Sequence, residues 1–382
     1  MLQVFILLVG CSLIAWAYSK TSAVSITDDG RCIYRRDESV LSRCMFFALL
    51  VVLVLFSGLR TVMNDTATYI RTFENKIPTG LKSIGNISWK IGSNPFFDIY
   101  QILLKTFISE SGSTFVFITS FFVTLSNLLF FRKYAEDFGY TIFIYIAFTV
   151  YAFTMAAIKQ TIATAIAIWS IPCILHNHRW KAALLILVAM MFHPYVVIFF
   201  AAYFFSKELW GSKTILLLLI TLAAAASFTT IVEKLIEAAA SIGDDYSVET
   251  MTEGSVNIFR LLVYLIVPVL SFAWRKQIRK KGSRFDYLCI NLSIVSSCFM
   301  ILARMGGANI FSRMANYFDI FQCLALPIVL NFGIENGAKK QMIKVASVLG
   351  FSVFYYTYYS KYSNFGADFY RHISIIELIN RW

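Results

Sequence analysis

Long apolar runs, separated by short polar stretches, make up most of this chain. The clear runs come close to the roughly 17–25 residues that an α-helix needs to cross the hydrocarbon core of a bilayer. The pattern predicts an all-α polytopic transmembrane bundle of about 10–12 spans, built as a single integral membrane domain over residues 1–382. The clear runs are 2–18, 43–59, 113–131, 140–157, 160–175, 213–232, 256–274, 286–304, 311–332 and 342–360.

Two further apolar segments differ from ordinary spans. Residues 96–109 are short, carry Asp98 and Lys105, and repeat their apolar positions at helical spacing, which predicts a helix lying in the membrane interface. Residues 181–204 are long enough to cross, but His193 and Pro194 stand at the middle. Proline removes a backbone donor and disfavours helix at the residue before it, so a break is expected there.

Basic residues predict which loops face the cytoplasm, because Lys and Arg concentrate on that side of the membrane. The strongest basic cluster, 275–284, anchors the cytoplasmic side, and three lysines two spans later agree with it. Loops 19–42 and 275–285 are therefore predicted to be cytoplasmic. Loops 60–112 and 233–255 are predicted to be extracytoplasmic, and so are both termini.

The two halves of the chain agree on this topology only if 181–204 enters and leaves the membrane on the same face. We therefore predict that this segment is a broken or re-entrant hairpin that turns near His193 and Pro194. Non-helical backbone at membrane depth is tolerated where protein buries it or where it lines a wet cavity. A full span, with a boundary misplaced elsewhere in the chain, is the alternative.

Composition supports the membrane assignment and argues against other classes. The chain is 58% hydrophobic and 15% charged, with a mean hydropathy of +0.67, whereas soluble domains carry about 25% charged residues. We interpret the net charge of +12 as the topological signal of cytoplasmic loops, so no nucleic-acid partner is expected. The seven cysteines show no CxxC spacing, and no metal site is expected. No Lys or Arg precedes the run 2–18, which is expected to be a retained span rather than a cleaved signal peptide.

The strip 57–69 brings chemistry-bearing residues to a predicted outer boundary. Arg60 stands where the second span ends, and Asp65 and Tyr69 follow at positions i and i+4, which share one face of a helix. An arginine there is suited to a phosphate, and a carboxylate to a base or a sugar-hydroxyl contact. The plainer interpretation is an Arg–Asp pair that ends a helix at the headgroup layer.

Further polar residues are predicted at the same outer level. Lys159 and Gln160 lie between two apolar runs, where a cation must snorkel to the interface or face the bundle interior. His193 is a lone histidine in an apolar stretch, suited to carrying a proton, although a satisfied core histidine is the usual outcome. Arg304 and Arg313 bracket a short outer connection. Several cations on that side, against the topological rule, indicate an anionic ligand such as a pyrophosphate.

Nucleotide-binding signatures are missing from the chain. It contains no Walker loop, no GxGxxG after a strand, no HExxH and no nucleophile elbow. The cytoplasmic loops leave no room for a domain that binds a nucleotide-sugar. A sugar donor is therefore expected to be carried on a lipid and presented on the outer side, and no cofactor is expected.

Four short motifs, taken in order, resemble the EpsG family of bacterial polytopic proteins, which is similar in role to the Wzy-type polysaccharide polymerases. The motifs are Gly58-Leu59-Arg60 with the strip 65–69, then 159–163, then Phe192-His193, then 313–317. The resemblance runs from about residue 55 to about residue 320. Lys159 replaces the family's arginine, which keeps the charge but loses the bidentate fork, and Pro194 replaces a small polar residue.

This resemblance implies a glycosyltransferase-type polymerase of exopolysaccharide, capsule or O-antigen repeat units. It would act at the outer face of the bacterial cytoplasmic membrane on repeat units carried by undecaprenyl pyrophosphate. Its implied partners are that lipid-linked glycan, the membrane lipids, and a flippase and a chain-length regulator of the same pathway.

The resemblance also implies roles for particular residues. Contacts to the diphosphate are expected from Arg60, Lys159, Arg304 and Arg313. The catalytic set is expected to comprise Arg60 and a base, which is Asp65 or His193. Contacts to the sugars are expected from Tyr69, Gln160 and Tyr317.

Two alternatives remain at this point. A flippase or transporter of lipid-linked oligosaccharides would also carry polar residues inside a bundle, but it predicts charges spread through the membrane depth and internal pseudo-symmetry. A membrane glycosyltransferase or acyltransferase that modifies a surface glycan is hardly separable from a polymerase by sequence. The notable charges here collect at predicted outer ends, which favours an enzyme.

Overall fold

The computed structural model describes residues 2–26, 34–90, 92–240, 253–363 and 371–381. Within these residues the protein is a bundle of α-helices with two small two-stranded sheets. The predicted all-α polytopic class is therefore confirmed.

The helices of the first half are α1 (Leu2–Thr21), α2 (Val40–Gly58), α3 (Thr66–Lys76), α4 (Pro95–Phe107), α5 (Gly112–Tyr134), α6 (Phe138–Ala147), α7 (Val150–Ala156), α8 (Ile158–Ala167), α9 (Ser170–Leu175), α10 (Arg179–Met190) and α11 (Ala201–Phe204). Those of the second half are α12 (Ser212–Ala226), α13 (Phe228–Ala240), α14 (Ile258–Ala273), α15 (Arg275–Lys281), α16 (Arg284–Met305), α17 (Ala308–Asn316), α18 (Asp319–Gly333), α19 (Gly337–Ser363) and α20 (Ile375–Asn380). Two 3₁₀ helices cover Leu81–Asn86 and Pro194–Phe200. The strands β1 (Ser22–Ile26) and β2 (Tyr34–Glu38) form one antiparallel pair, and β3 (Arg60–Val62) and β4 (Arg371–His372) form the other.

All ten predicted apolar runs are helical. Among the described residues, five helices are long and apolar enough to cross a membrane, and the number rises to nine if each of four bent pairs counts as one span. The run 342–360 lies in α19, a helix of 27 residues whose outer part is rich in tyrosine. These five helices and four bent pairs match nine of the ten predicted runs, and α19 is the one that does not meet the hydropathy criterion for a span. One bend, of 53° between α6 and α7, lies next to Thr149, which has a left-handed φ of 65°.

One end of the bundle gathers the loops predicted to be cytoplasmic. Arg132, at the end of α5, forms a salt bridge with Glu38 of β2. A few residues further on, Asp137 forms a salt bridge with Lys344 of α19. The ring of Tyr134 stacks on Phe285 with 4.4 Å between centroids, and so joins the start of α16 to the same end. This is called the inner end below, and its cytoplasmic placement stays a prediction.

The segment 181–204 is broken where predicted. After α10, His193 has extended backbone angles of φ −156° and ψ 109°, and a 3₁₀ helix begins at Pro194. The Tyr203 hydroxyl donates a hydrogen bond to the Arg179 carbonyl at 2.6 Å, so the two ends of the segment lie side by side. A straight helix of this length would separate them by about 36 Å.

Arg284 holds both ends of this hairpin at the inner end of the bundle. Its guanidinium donates to the carbonyls of Ile174 and Leu175, before the hairpin, at 3.2 and 3.1 Å. It also donates to the carbonyl of Ser206, after the hairpin, at 3.3 Å. The segment therefore enters and leaves at one end, as a broken hairpin rather than a full span.

The opposite end carries the polar strip and the predicted interfacial helix. The segment 96–109 forms α4, which packs beside α3 and α5. Lys105 of α4 is 9% exposed and donates to three carbonyls at the end of α3, those of Phe73, Glu74 and Ile77, at 2.7–2.9 Å. These bonds satisfy the open carbonyls of a helix C-terminus and fix α3 against α4. The two helices so joined form one wall of the site described next.

Candidate functional site

A cleft of about 320 Å³ opens at the outer end between α3, α4 and the start of α8. Its walls carry two carboxylates, an amide, a tyrosine and a lysine. The lining residues are Asp65, Thr68, Tyr69, Thr72, Ile77, Phe97, Asp98, Gln101 and Lys159. Three of the residues predicted from sequence, Asp65, Tyr69 and Lys159, therefore meet in one place.

Lys159 reaches the cleft because the backbone breaks just before it. Ala157, with φ −124° and ψ 74°, ends α7 and begins α8, so Lys159 lies in the first turn of a new helix. Its ammonium lies 5.0 Å from the centre of the Phe97 ring, and the Asp98 carboxylate attracts it. A cation–π contact and a nearby carboxylate favour a lysine that faces the cleft instead of the lipid.

Asp65 and Tyr69 line the cleft from the first turn of α3. Asp65 is the residue before the helix, but its carboxylate does not cap it, and the side chain is exposed. The Tyr69 N–H donates to the Asp65 carbonyl at 3.0 Å, as the predicted i, i+4 relation requires. Burial and the Asp65 carboxylate raise the pKa of the Tyr69 hydroxyl, while the backbone of Lys159 and the charge of Arg313 oppose the shift. The charges of Asp65 and Arg313 therefore both act on the Tyr69 hydroxyl.

Asp98 and Gln101 complete the cleft and were not assigned to a site from sequence. Burial raises the pKa of the Asp98 carboxyl, and the Lys159 ammonium partly offsets that rise. Gln101, three residues further along α4, is only 2% exposed, and its Nε2 has no hydrogen-bond partner among the described residues. The only sequence signal for this wall is the polar face of the predicted interfacial helix 96–109, which does not by itself indicate a site.

A second group of predicted residues adjoins this cleft. His193 is hydrogen-bonded through Nδ1 to the Tyr317 hydroxyl, which joins the hairpin turn to the end of α17. Gln160 donates through Nε2 to the Arg313 carbonyl at 2.6 Å. The charges of Lys159 and Arg313 both act on His193. The charge of Arg313 also acts on Tyr69 of the cleft, so the two groups lie next to each other.

The hairpin turn also touches α4 directly. The Phe96 N–H donates to the Met191 carbonyl at 3.1 Å, and the Phe96 and Phe192 rings meet edge to face with 6.0 Å between centroids. The break at Pro194 therefore serves to place His193 beside the helix that carries Asp98.

Arg60 is 2% exposed and is not among the residues that line the cleft. Its guanidinium donates to the Ser57 carbonyl, to the Thr66 hydroxyl at 3.1 Å and to the Ser120 hydroxyl at 2.8 Å. These bonds tie α2, α3 and α5 together. Its predicted contact with a diphosphate stays a prediction, and its described contacts are those of a positioning residue.

Arg304 lies apart from the other predicted residues. It is exposed at the end of α16, and its guanidinium donates to the Ser255 hydroxyl at 3.3 Å.

Within the described ranges, no group of three or more His, Cys, Asp or Glu side chains is placed to hold a metal ion. The site thus consists of carboxylates, amides, hydroxyls, one imidazole and two cations.

Comparison with known proteins gives a family for this arrangement. The sequence profile of the EpsG family matches residues 43–374 of the 382, a range that includes every element of the site. No curated protein and no solved structure matches the chain. The profile match supports a membrane-bound, polysaccharide polymerase-like function, with glycosyltransferase-like chemistry. Because the match covers most of a multi-pass helical chain, this protein belongs to the EpsG family.

Proposed function

We propose that this protein joins oligosaccharide repeat units carried on undecaprenyl diphosphate at the outer face of the bacterial cytoplasmic membrane. The observation that carries the proposal is a cleft that holds two carboxylates, a lysine and the Gln101 amide, whose Nε2 has no hydrogen-bond partner among the described residues. An amide N–H without a partner costs about 1–3 kcal/mol, and rotation of the Gln101 side chain toward the cleft would let a sugar hydroxyl recover that cost. The cleft thus offers polar contacts for a sugar beside a cation for a phosphate.

The chemistry follows from the charges around the cleft. A carboxylate, Asp98 or Asp65, accepts the proton of an acceptor sugar hydroxyl, and the oxygen forms a bond to the anomeric carbon of the donor. The bond from that carbon to the diphosphate oxygen breaks, and the diphosphate leaves with the electron pair. Lys159 and Arg313 stabilise the negative charge that develops on the leaving group. The sugar contacts are assigned to Tyr69, Gln101 and Gln160.

Asp98 is the preferred base because of its environment. A carboxylate with a raised pKa takes a proton more readily than an ordinary aspartate, which suits general-base work. His193 holds Tyr317 and faces two cations, so it is assigned to positioning the second group and remains the alternative base.

The test is reconstitution of the purified protein in liposomes with an undecaprenyl-diphosphate-linked repeat unit. Products are resolved by gel electrophoresis and mass spectrometry. Wild type should yield repeat-unit dimers and longer chains with release of undecaprenyl diphosphate. Asp98→Asn should slow chain growth by about 10²–10⁴-fold, the range of general acid–base catalysis.

Two controls separate chemistry from folding. Lys76→Met changes an exposed lysine at the end of α3, outside the cleft, and should leave chain growth unchanged. Asp98→Asn should melt no lower than wild type at neutral pH. With a raised carboxyl pKa, the stabilising contribution of Asp98 is present at low pH and lost as pH rises. Removing the charge therefore removes a cost to the stability of the folded state.

Translocation of the lipid-linked unit without chain growth would instead identify a flippase. Transfer of one sugar or acyl group would identify a modifying enzyme.

A further inference from the structure

A second, larger cavity lies on another side of the outer end. It is a groove of about 1020 Å³ between α14, α17 and α19, at the upper limit of ordinary ligand pockets. Its apolar lining includes Leu262, Val263, Ile266 and Val353. The groove meets the surrounding lipid at side chains such as Phe259 and Val353, which are 70% and 63% exposed. It is thus open sideways to the membrane.

The polarity of the groove changes along its length. Serine, asparagine and threonine side chains line the outer end, at Ser255, Asn257, Ser312 and Thr357. Ile266 of α14 lies about 12 Å deeper than the start of that helix, at 1.5 Å per residue. A groove with a polar mouth and an apolar floor has the shape of an amphiphile whose tail points into the membrane.

Arg260 stands at the mouth of the groove, in the first turn of α14. Its guanidinium lies 5.9 Å from the centre of the Tyr264 ring. The Tyr264 hydroxyl donates to Asp319 at 2.7 Å, and the Ser296 hydroxyl donates to the same carboxylate at 2.7 Å. The Asp319 carboxylate also attracts the Arg260 guanidinium, so this network fixes a cation at the mouth of the groove.

One short helix separates the groove from the candidate functional site. Ser312 of α17 lines the groove, and the next residue, Arg313, offers its carbonyl to Gln160 in the site. At the end of the same helix Tyr317 binds His193. A lipid held in the groove would therefore place its head group next to α17, on the opposite side of that helix from the candidate functional site.

We propose that the groove between α14, α17 and α19 holds the isoprenoid tail of a polyprenyl phosphate or diphosphate, with Arg260 on a phosphate oxygen. The identification of that lipid as a substrate carrier rests on the function proposed above. The groove would hold the lipid next to the candidate functional site. α17 lies between the groove and that site and contributes residues to both.

Gly350 makes the proposal testable without disturbing the fold. It lies in the middle of α19 and lines the groove, and a Cβ added there meets no atom within 4 Å. Gly350→Phe therefore fills the groove, and replacing a mid-helix glycine also favours the helix. Gly10, in α1 away from the groove, also has nothing within 4 Å, so Gly10→Phe is a matched control.

The experiment uses the full-length protein in nanodiscs and a polyprenyl phosphate that carries a photoactivatable group on its tail. Cross-linked peptides are identified by mass spectrometry. Wild type should label α14 and α19, and Gly350→Phe should reduce labelling at least about tenfold, while Gly10→Phe labels as wild type does. Arg260→Gln should weaken binding, with labelling restored only at higher lipid concentration.

Two results would overturn the proposal. One is equal labelling of the two phenylalanine variants. The other is competition by phosphatidylglycerol as strong as that by unlabelled polyprenyl phosphate, which would assign the groove to bulk phospholipid. The probe carries no sugar, so labelling is independent of polymerisation. A groove that labels in a protein that forms no polymer refutes the proposed function alone, and polymer formation with unaltered labelling of Gly350→Phe refutes the groove alone.

Discussion

At the residue scale, the most informative side chain is Arg60. Its contacts distinguish a structural role from the phosphate-binding role that the family resemblance implies. Its described partners are a helix-end carbonyl and two hydroxyls in the interior. A buried cation so surrounded joins three helices. We therefore keep the phosphate-binding role as a proposal for Lys159 and Arg313, whose charges both act on His193.

Replacing Arg60 should therefore affect stability before it affects catalysis. Arg60→Ala leaves the Ser57 carbonyl and the Ser120 hydroxyl without their charged donor, while the Thr66 hydroxyl keeps its bond to the Met63 carbonyl. Each buried group left unpaired costs about 1–3 kcal/mol, so the free energy of unfolding should fall by at least about 2 kcal/mol. The midpoint of unfolding in an SDS titration measures the change.

A matched control is Arg71→Ala. Arg71 is exposed on α3, and the same substitution there should change the free energy of unfolding by less than about 0.5 kcal/mol. An Arg60→Ala protein that unfolds with wild type but forms no polymer would contradict the positioning role and return Arg60 to the substrate site.

Sequence reasoning found most of this site but missed one wall. Lys159 and His193 are polar residues in apolar stretches, whereas Asp65, Tyr69 and Arg313 stand at predicted outer ends of spans. The sequence also places Asp98 on an amphipathic helix, but the helical period does not predict which other helix packs against its polar face. Gln101 was indistinguishable from a surface amide, because its burial depends on how α3 and α4 pack.

At the scale of elements, the hairpin 181–204 shows how charge counting and proline chemistry combine. The basic loops on either side required entry and exit at one face, and Pro194 supplied the place for a turn. Neither argument predicts the Arg284 contacts that close the hairpin, since these depend on a helix about 80–110 residues further along the chain. The bends between α6 and α7 and between α17 and α18 were not predicted, because the apolar runs continue through them.

Cysteine labelling tests the hairpin in the membrane. In a cysteine-free background, Lys181→Cys and Lys207→Cys replace exposed residues on either side of the hairpin. Both should react with an impermeant maleimide only after the inner face is made accessible, because both lie at the inner end. Lys76→Cys, exposed at the outer end, should react in intact cells. Labelling of Lys181→Cys and Lys207→Cys from opposite sides would refute the hairpin.

At the scale of the whole molecule, the two ends of the bundle have different chemistry. The inner end is held by salt bridges between loops, such as those of Arg132 with Glu38 and of Lys344 with Asp137. The outer end is closed by a strand pair, in which β4 adds to β3 and His372 contacts the Phe56 carbonyl at 2.9 Å. The fold class and the family followed from sequence, whereas this closure did not, because a strand of two residues has no recognisable pattern.

His372 should make the outer end sensitive to acid. Burial lowers the pKa of the His372 imidazole, the hydrogen bond to Phe56 partly offsets this, and the charge of Arg60 adds to the lowering. The folded state therefore favours the neutral imidazole. The resulting contribution to stability is complete above the ordinary histidine pKa of about 6.5 and is lost as pH falls below it. The melting temperature of wild type should fall more between about pH 7.5 and about pH 5.5 than that of His372→Gln.

The control for this measurement is His178→Gln, which changes an exposed histidine at the inner end. It should show the same pH dependence as wild type. If His372→Gln also follows wild type across this range, the outer closure does not respond to protonation.

The pairing of β3 with β4 also has a consequence for biosynthesis. Thr61 binds the carbonyl of Arg371, a residue 310 positions later, so the outer end is completed by a segment that the ribosome makes long after the strip around Arg60. Such a distant contact forms only when the intervening helices have already brought its two parts together. An insertion intermediate stopped before residue 371 would hold most of the bundle but an open outer end. Closure of the outer end is therefore a late step in the assembly of this protein.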